Sequence, residues 1–199
     1  LASSGMISAG LLETFHKDGT LLAAHPPCGN NVNGILFGTG SLGHGLSLAA
    51  GLALSAKFTK KKFKVYCVLS DGDCNEGSTW EAILQAGHLK LDNLVVIVDQ
   101  NGWQSYGRIR DILDTEPLDD KFTSFGWSVR TINGHDFRQI EKAFTKIPFV
   151  KDKPSVVIAR TVKGKGVSVL EDSNEWHYRT PGEKEIAVAK RELNRAIPL

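Results

Sequence analysis

Along the chain, apolar residues gather in short unbroken runs at 65–69, 94–98 and 156–159, with a weaker run at 127–132. Unbroken rather than alternating apolarity predicts strands covered on both faces, as in a parallel sheet. Between the runs, residues 42–57 and 136–144 carry helical patterns. Ser78-Thr79-Trp80-Glu81 has the form of a capping box, which predicts a helix with Ser78 at its N-cap running to about His88. Residues 1–7 look like a helix entered partway along, and with no initiator methionine they suggest that N-terminal sequence is missing.

Strand and helix alternate at a spacing suited to βαβ crossovers, so the expected fold is α/β, a parallel sheet covered by helices on both faces. In such sheets ligands bind beyond the carboxyl ends of the strands. Asp71 follows the first strong run and Asn101 closely follows the second, which places both at that edge. Lys60-Lys61-Lys62 reads as a solvated helix-to-strand turn. Lys163-Gly164-Lys165-Gly166, with two glycines in four residues, is expected to be a mobile loop.

Composition narrows the classes. The 199 residues, 41% hydrophobic and 23% charged, suit a single domain spanning 1–199. A net charge of +2, from 24 basic and 22 acidic residues, gives no field that argues for nucleic acid or membrane. Cys28, Cys67 and Cys74 are odd in number and contain no Cys-x-x-Cys pair, so neither a disulfide framework nor a zinc ribbon is indicated and a reducing cytoplasm fits best. No apolar run approaches the roughly eighteen residues of a membrane span, and the protein reads as soluble.

The first candidate chemistry lies in Ser70-Asp71-Gly72-Asp73-Cys74-Asn75-Glu76-Gly77, with Gln100-Asn101-Gly102-Trp103 thirty positions on. One carboxylate, one amide oxygen and one backbone carbonyl suit Mg²⁺, or another hard divalent cation, that shares its sphere with phosphate oxygens. Taken singly, Asp-Gly and Asn-Gly are ordinary turn dipeptides. An EF-hand loop fails because Glu76 stands at the sixth position, where glycine is required. Gly38-Thr39-Gly40-Ser41-Leu42-Gly43 matches the dinucleotide fingerprint in form, but residues 30–34 make a poor strand before it and the next acid of suitable kind, Asp71, is too far on.

Taken in order, Gly40-Ser41-Leu42-Gly43-His44-Gly45, Ser70-Asp71-Gly72 through Glu76-Gly77, Asp99-Gln100-Asn101-Gly102, Gly134-His135-Asp136 and Thr161-Val162-Lys163-Gly164-Lys165-Gly166 resemble the transketolase N-terminal domain over nearly the whole chain. The resemblance implies a domain that binds the diphosphate of thiamine diphosphate through Mg²⁺. It implies Asp71, Asn101 and the carbonyl of Trp103 as metal ligands, Gly72 at the diphosphate, and Gly40, Ser41 and Leu42 lining the cofactor. His25 resembles the histidine that contacts the donor sugar's hydroxyl, and His177 one near the diphosphate and substrate; His16, His44, His88 and His135 are expected to be structural.

The implied activity is transfer of a two-carbon ketol unit between sugar phosphates, by the N-terminal subunit of a split transketolase. The implied partner is a C-terminal subunit carrying the pyrimidine-binding domain, in a hetero-oligomer with a dimeric core. Departures from the family are Ser70 in place of the first glycine of Gly-Asp-Gly, tolerable at a strand end with φ below zero, and a loose match around His177. Two further active-site histidines belong to a stretch that would precede Leu1. The alternatives are another thiamine diphosphate enzyme, of 2-oxo-acid dehydrogenase or 1-deoxyxylulose-5-phosphate synthase type, or a non-catalytic paralogue acting as a binding partner.

Overall fold

The computed structural model describes residues 1–26 and 32–196. Cys28 and residues 30–31 of the region before the glycine-rich motif lie outside the described residues. The chain falls into two compact units, Leu1–Leu42 and Gly43–Leu199. In the first, residues 1–7 are not helical. Met6 N–H donates to Leu1 O and Gly5 N–H to Ala2 O, both at 3.0 Å, with Gly5 at φ +73°. That is the bond pattern that closes the C-terminal end of a helix. A 3₁₀ turn, Ala9–Thr14, follows.

In the second unit, four strands build a parallel sheet: β1 Val65–Ser70, β2 Leu94–Gln100, β5 Ser128–Asn133 and β6 Ser155–Arg160, in the order β1-β2-β6-β5. A short antiparallel hairpin, β3 Trp103–Gln104 and β4 Gly107–Arg108, rises from the end of β2. The helices are α1 Gly45–Phe58, α2 Gly77–His88, α3 Ile109–Ile112, α4 Leu118–Ser124, α5 Phe137–Phe144 and α6 Glu183–Ala196. The four apolar runs therefore become the four sheet strands, each within a residue or two of its expected bounds.

One sheet face, carrying Val65, Cys67, Leu69, Val96, Val98, Val156 and Ile158, forms the main core with α1, α2 and α4. Leu46, Ala49, Ala50, Ala53 and Ala56 line the buried side of α1, and alanines let helix and sheet approach closely. Trp127 closes the core beside α4. Its indole N–H donates to Ile83 O at 2.9 Å and its ring stands edge-on to Phe122 at 5.4 Å, so the one polar atom of a large buried side chain is satisfied. On the other face, Ile140 and Phe144 of α5 stand over a small apolar cavity with Val68, Ile97 and Val157. The cover is thinnest over β1, where Tyr66 and Val68 are 52% and 71% exposed.

Two expected details change. Ser78 is not the N-cap of α2: Glu76 holds that position without a side-chain cap bond, and the Ser78 hydroxyl donates instead to Gly43 O at 3.0 Å. A tertiary acceptor within reach outcompeted the local cap. The 163–166 loop is fastened. Gly166 N–H donates to Glu171 Oε1 at 3.0 Å, Asp172 N–H to Lys163 O at 2.8 Å, and a Cβ on Gly164, at φ +72°, would meet Leu170 O at 2.4 Å. Gly164 there serves close approach.

Candidate functional site

The register pairs Ser70 with Asp99 and Gln100 with Arg160, so Asp71, Asn101 and Thr161 leave the sheet at one edge. Ser70 closes β1 outside the left-handed region, which is why a serine serves there. Asp71 is 3% exposed, and its Oδ2 accepts the backbone N–H groups of Asn101 at 2.8 Å and Gly102 at 2.6 Å. Both bonds fall on one oxygen, which leaves Oδ1 outside them. Burial pushes the Asp71 carboxyl up to about 6 against the pull of these two N–H groups, and the Asp99 and Glu116 charges push the same way. A carboxylate held dry beside other carboxylates is electrostatically short of a cation.

Asp73, the second acid of the loop, points elsewhere. Its Oδ2 accepts from Ser70 N–H at 2.9 Å and its Oδ1 from Gly43 N–H at 3.0 Å, which ties the start of α1 to the β1 turn. Asn101 is oriented from two sides: Trp103 N–H donates to its Oδ1 at 2.9 Å, and its Nδ2 donates to Asp99 Oδ2 at 3.4 Å. The Thr161 hydroxyl holds the other Asp99 oxygen. Ile109 N–H donates to Gly102 O at 3.0 Å, which makes Gly102 and Ile109 a bonded pair of the hairpin. Trp103 and Arg108 are then a non-bonded pair, and the Trp103 carbonyl faces away from the ladder. Gly102 takes φ +79°, the conformation this sharp departure from β2 needs.

Two cavities flank this turn. One, about 360 Å³, is lined by Asp71, Gly102, Arg108 and Glu116 among others. The other, about 590 Å³, is lined by Asn101, Asp99, Thr161, His135, Lys163 and Lys165 among others. The Gly134-His135-Asp136 motif is structural here: a Cβ on Gly134 would meet Thr161 Cγ2 at 2.5 Å, His135 Nε2 accepts Val162 N–H at 2.8 Å, and Asp136 caps α5. Among the described residues no cluster of three His, Cys, Asp or Glu is poised around a metal; the oxygen donors at the turn are of mixed kinds.

His177 ends a 3₁₀ turn, Glu175–His177, and packs edge-on against Tyr178 at 4.7 Å. Partial loss of its water shell, and the Lys163 charge, hold its imidazole below the ordinary histidine range. Lys163 lines the cavity that Asn101 lines, and His177 does not. His25 belongs to the first unit, exposed, with its ring against Gly40; a Cβ there would lie 2.7 Å from the imidazole. Ser41 and Leu42 are exposed in the same unit, and Gly72 is buried beside Asp71. Of the supporting residues, Asp73, Asp99 and Thr161 stood in the sequence motifs without a role of their own, and Arg108 and Asp172 went unremarked, because their partners are distant or belong to other elements.

Fold and turn chemistry together define an α/β domain whose polar turn and flanking cavities lie beyond the carboxyl ends of adjacent parallel strands. The profile of the family described as "Transketolase, thiamine diphosphate binding domain" matches residues 6–196, and the chain belongs to that family. It is 38% identical over 197 residues to an apulose-4-phosphate transketolase subunit from Phocaeicola vulgatus, covering 99% of this chain and 69% of that protein. It is 42% identical over 193 residues to the protein of the same name from Actinobacillus succinogenes, covering 97% and 69%. The transketolase crystal structure from Campylobacter jejuni superposes with a TM-score of 0.86 at 33% identity, over 93% of this chain and 30% of that one. The chain is therefore a thiamine diphosphate-binding component of transketolase type, the N-terminal kind. Among the described residues no helix is long and apolar enough to cross a membrane.

Proposed function

We propose that this chain anchors thiamine diphosphate through Mg²⁺ and serves, in the cytoplasm, as the N-terminal subunit of a transketolase moving a two-carbon ketol unit between sugar phosphates. The observation that carries this reading is Asp71 Oδ2 holding the Asn101 and Gly102 N–H groups, which joins two strand ends into one oxygen-bearing turn. Asp71 Oδ1, Asn101 Oδ1 and the Trp103 carbonyl are hard donors, as Mg²⁺ requires. They are too few for an octahedron, which leaves places for diphosphate oxygens and water. The cofactor, when bound, supplies the carbanion chemistry of ketol transfer. This chain holds and orients: Gly72 borders the diphosphate, Gly40, Ser41 and Leu42 line the cofactor, His25 contacts the donor hydroxyl, and His177 serves near the diphosphate and substrate. A C-terminal subunit with the pyrimidine-binding domain completes the site in a hetero-oligomer with a dimeric core. Support for a partner comes from relatives that are themselves named as subunits.

Calorimetric titration with thiamine diphosphate, with and without Mg²⁺, tests the anchor. Uptake is expected only with the metal and is abolished in Asp71→Asn, which keeps the shape and removes the charge. Uptake that ignores the metal, or survives the substitution unchanged, sinks the reading. Mixing with a matching C-terminal subunit is then expected to yield Mg²⁺-dependent ketol transfer from ketose phosphates and none from pyruvate.

A further inference from the structure

Downstream of the 163–166 loop, Asp172 adopts φ +54°, in the left-handed region that few non-glycine residues enter. Its backbone N–H donates to Lys163 O at 2.8 Å, which fixes it at the root of that loop. From there its carboxylate reaches the β3–β4 hairpin with both oxygens: Trp103 Nε1 donates to Oδ1 at 2.9 Å and Arg108 Nη2 to Oδ2 at 2.5 Å. The Arg108 guanidinium in turn stacks over the Trp103 ring at 3.8 Å from its centroid. Two residues on, Asn174 Nδ2 donates to Ser105 O at 3.0 Å, a second stitch to the same hairpin.

An isolated exposed ion pair contributes little, because water and salt compete for both charges. Here the carboxylate is shared between an indole and a guanidinium that also stack on one another. Three groups are thus ordered together. All of them belong either to the hairpin that begins with Trp103 or to the segment that leads, five residues later, to His177.

We infer that Asp172 is a positioning residue, a clasp that holds the Trp103–Arg108 hairpin against the segment bearing His177 and so sets the placement of the Trp103 carbonyl toward the metal. Backbone geometry at a metal-donating carbonyl is determined by what holds its own residue, and removal of such outer supports typically weakens metal affinity by about 10–100-fold. The clasp rests on the functional reading above for its consequence, but its existence can be tested without any cofactor.

The variants are Asp172→Asn, which keeps an acceptor for Trp103 Nε1 and loses the charge, and Asp172→Gly, which suits the positive φ and loses both bonds. In the full chain, limited trypsin cleavage after Arg108 is expected to quicken severalfold in Asp172→Gly and less in Asp172→Asn. Calorimetric titration with Mg²⁺ in excess thiamine diphosphate is expected to show half-saturation raised on the order of tenfold in Asp172→Gly and less in Asp172→Asn. Cleavage that is unchanged overturns the clasp whether or not cofactor binds. Faster cleavage with an unchanged magnesium requirement overturns its positioning role. A chain without substitutions that takes up no cofactor with Mg²⁺ overturns instead the functional reading on which that role depends.

Discussion

Asn101 Nδ2 faces Asp99 Oδ2 at 3.4 Å, and a carboxylate, which can only accept, decides which end of the amide turns away from it. With Thr161 holding the other oxygen, Asp99 keeps the Asn101 oxygen on the side of the Trp103 N–H. Asp99→Asn can donate as well as accept, so the Asn101 amide keeps only the Trp103 N–H to set its sense. The expected result is a magnesium affinity lowered about tenfold in excess thiamine diphosphate, read by calorimetry. Thr161→Val is expected to act through the same carboxylate, so the double variant should fall short of the sum. Full additivity, or wild-type affinity in Asp99→Asn, counts against this arrangement.

Gly87 in α2 and Gly51 in α1 are both helical glycines with opposite surroundings. A Cβ on Gly87 would sit 2.0 Å from Phe125 O, a backbone atom that cannot swing aside, whereas nothing lies within 4 Å of one on Gly51. Gly87→Ala is expected to cost about 1–3 kcal/mol. The melting midpoint should drop by about 2–4 °C for each of those, measured by thermal unfolding. Gly51→Ala, which removes backbone freedom from an exposed helix position, is expected to stabilise by up to about 1 kcal/mol. Equal responses from the two would contradict the close approach of α2 to the Phe125 turn.

Burial pushes the Cys67 thiol up to about 11 and the Cys74 thiol up to about 12, with Asp73 and, for Cys74, Asp71 adding in the same direction. Only the thiolate reacts, so at about pH 8 each carries about one part in a thousand of the reactive form or less. Native protein treated with iodoacetamide should yield Cys67 and Cys74 peptides almost unmodified by mass spectrometry, and fully modified after denaturation. Rapid native labelling of either would show that the β1 end opens readily.

The Asp136 carboxylate caps α5 by accepting Arg138 N–H at 2.9 Å and Gln139 N–H at 3.2 Å. The Gln139 N–H, the Gln139 side chain and the Arg138 N–H hold its pKa below the usual 3.8. A depressed carboxylate contributes stability that is present above its unfolded value and is lost as pH falls through the folded one. Amide-exchange protection at the start of α5 should hold steady down to about 3.8 and fade beneath it. In Asp136→Ser, a cap without a charge, that acid-side fading should disappear.

Much of the architecture could be read from the chain alone. Strands 65–70, 94–100 and 155–160 grow from the unbroken apolar runs 65–69, 94–98 and 156–159, a pattern characteristic of parallel sheets, so the sheet followed from pattern and spacing even though one face of β1 stays partly exposed. The ordered motifs likewise identified the transketolase family, later matched over residues 6–196. The runs placed Asp71 and Asn101 at adjoining strand ends, because these residues follow runs 65–69 and 94–98 by two and three positions.

Short or charged elements escaped notice. Helices α4 and α6 were not anticipated: Leu118–Ser124 is too brief for a period to show, and Glu183–Ala196 is rich in charge. The local capping pattern at Ser78 misled, because a hydroxyl's partner is decided by what stands nearest in space, and Gly43 O does. The 163–166 loop misled in the same way, since Gly164, which signals freedom in isolation, is here required by contact with Leu170.

By itself, then, the sequence determined the sheet and the family and pointed to one edge of the sheet, all of which rest on local runs and motifs and on their order along the chain. What the tertiary structure decided is which groups meet across long separations. Asp71 binds a turn 30 residues away and Trp103 a carboxylate 69 away, and whether such pairs form depends on where separate elements come to rest.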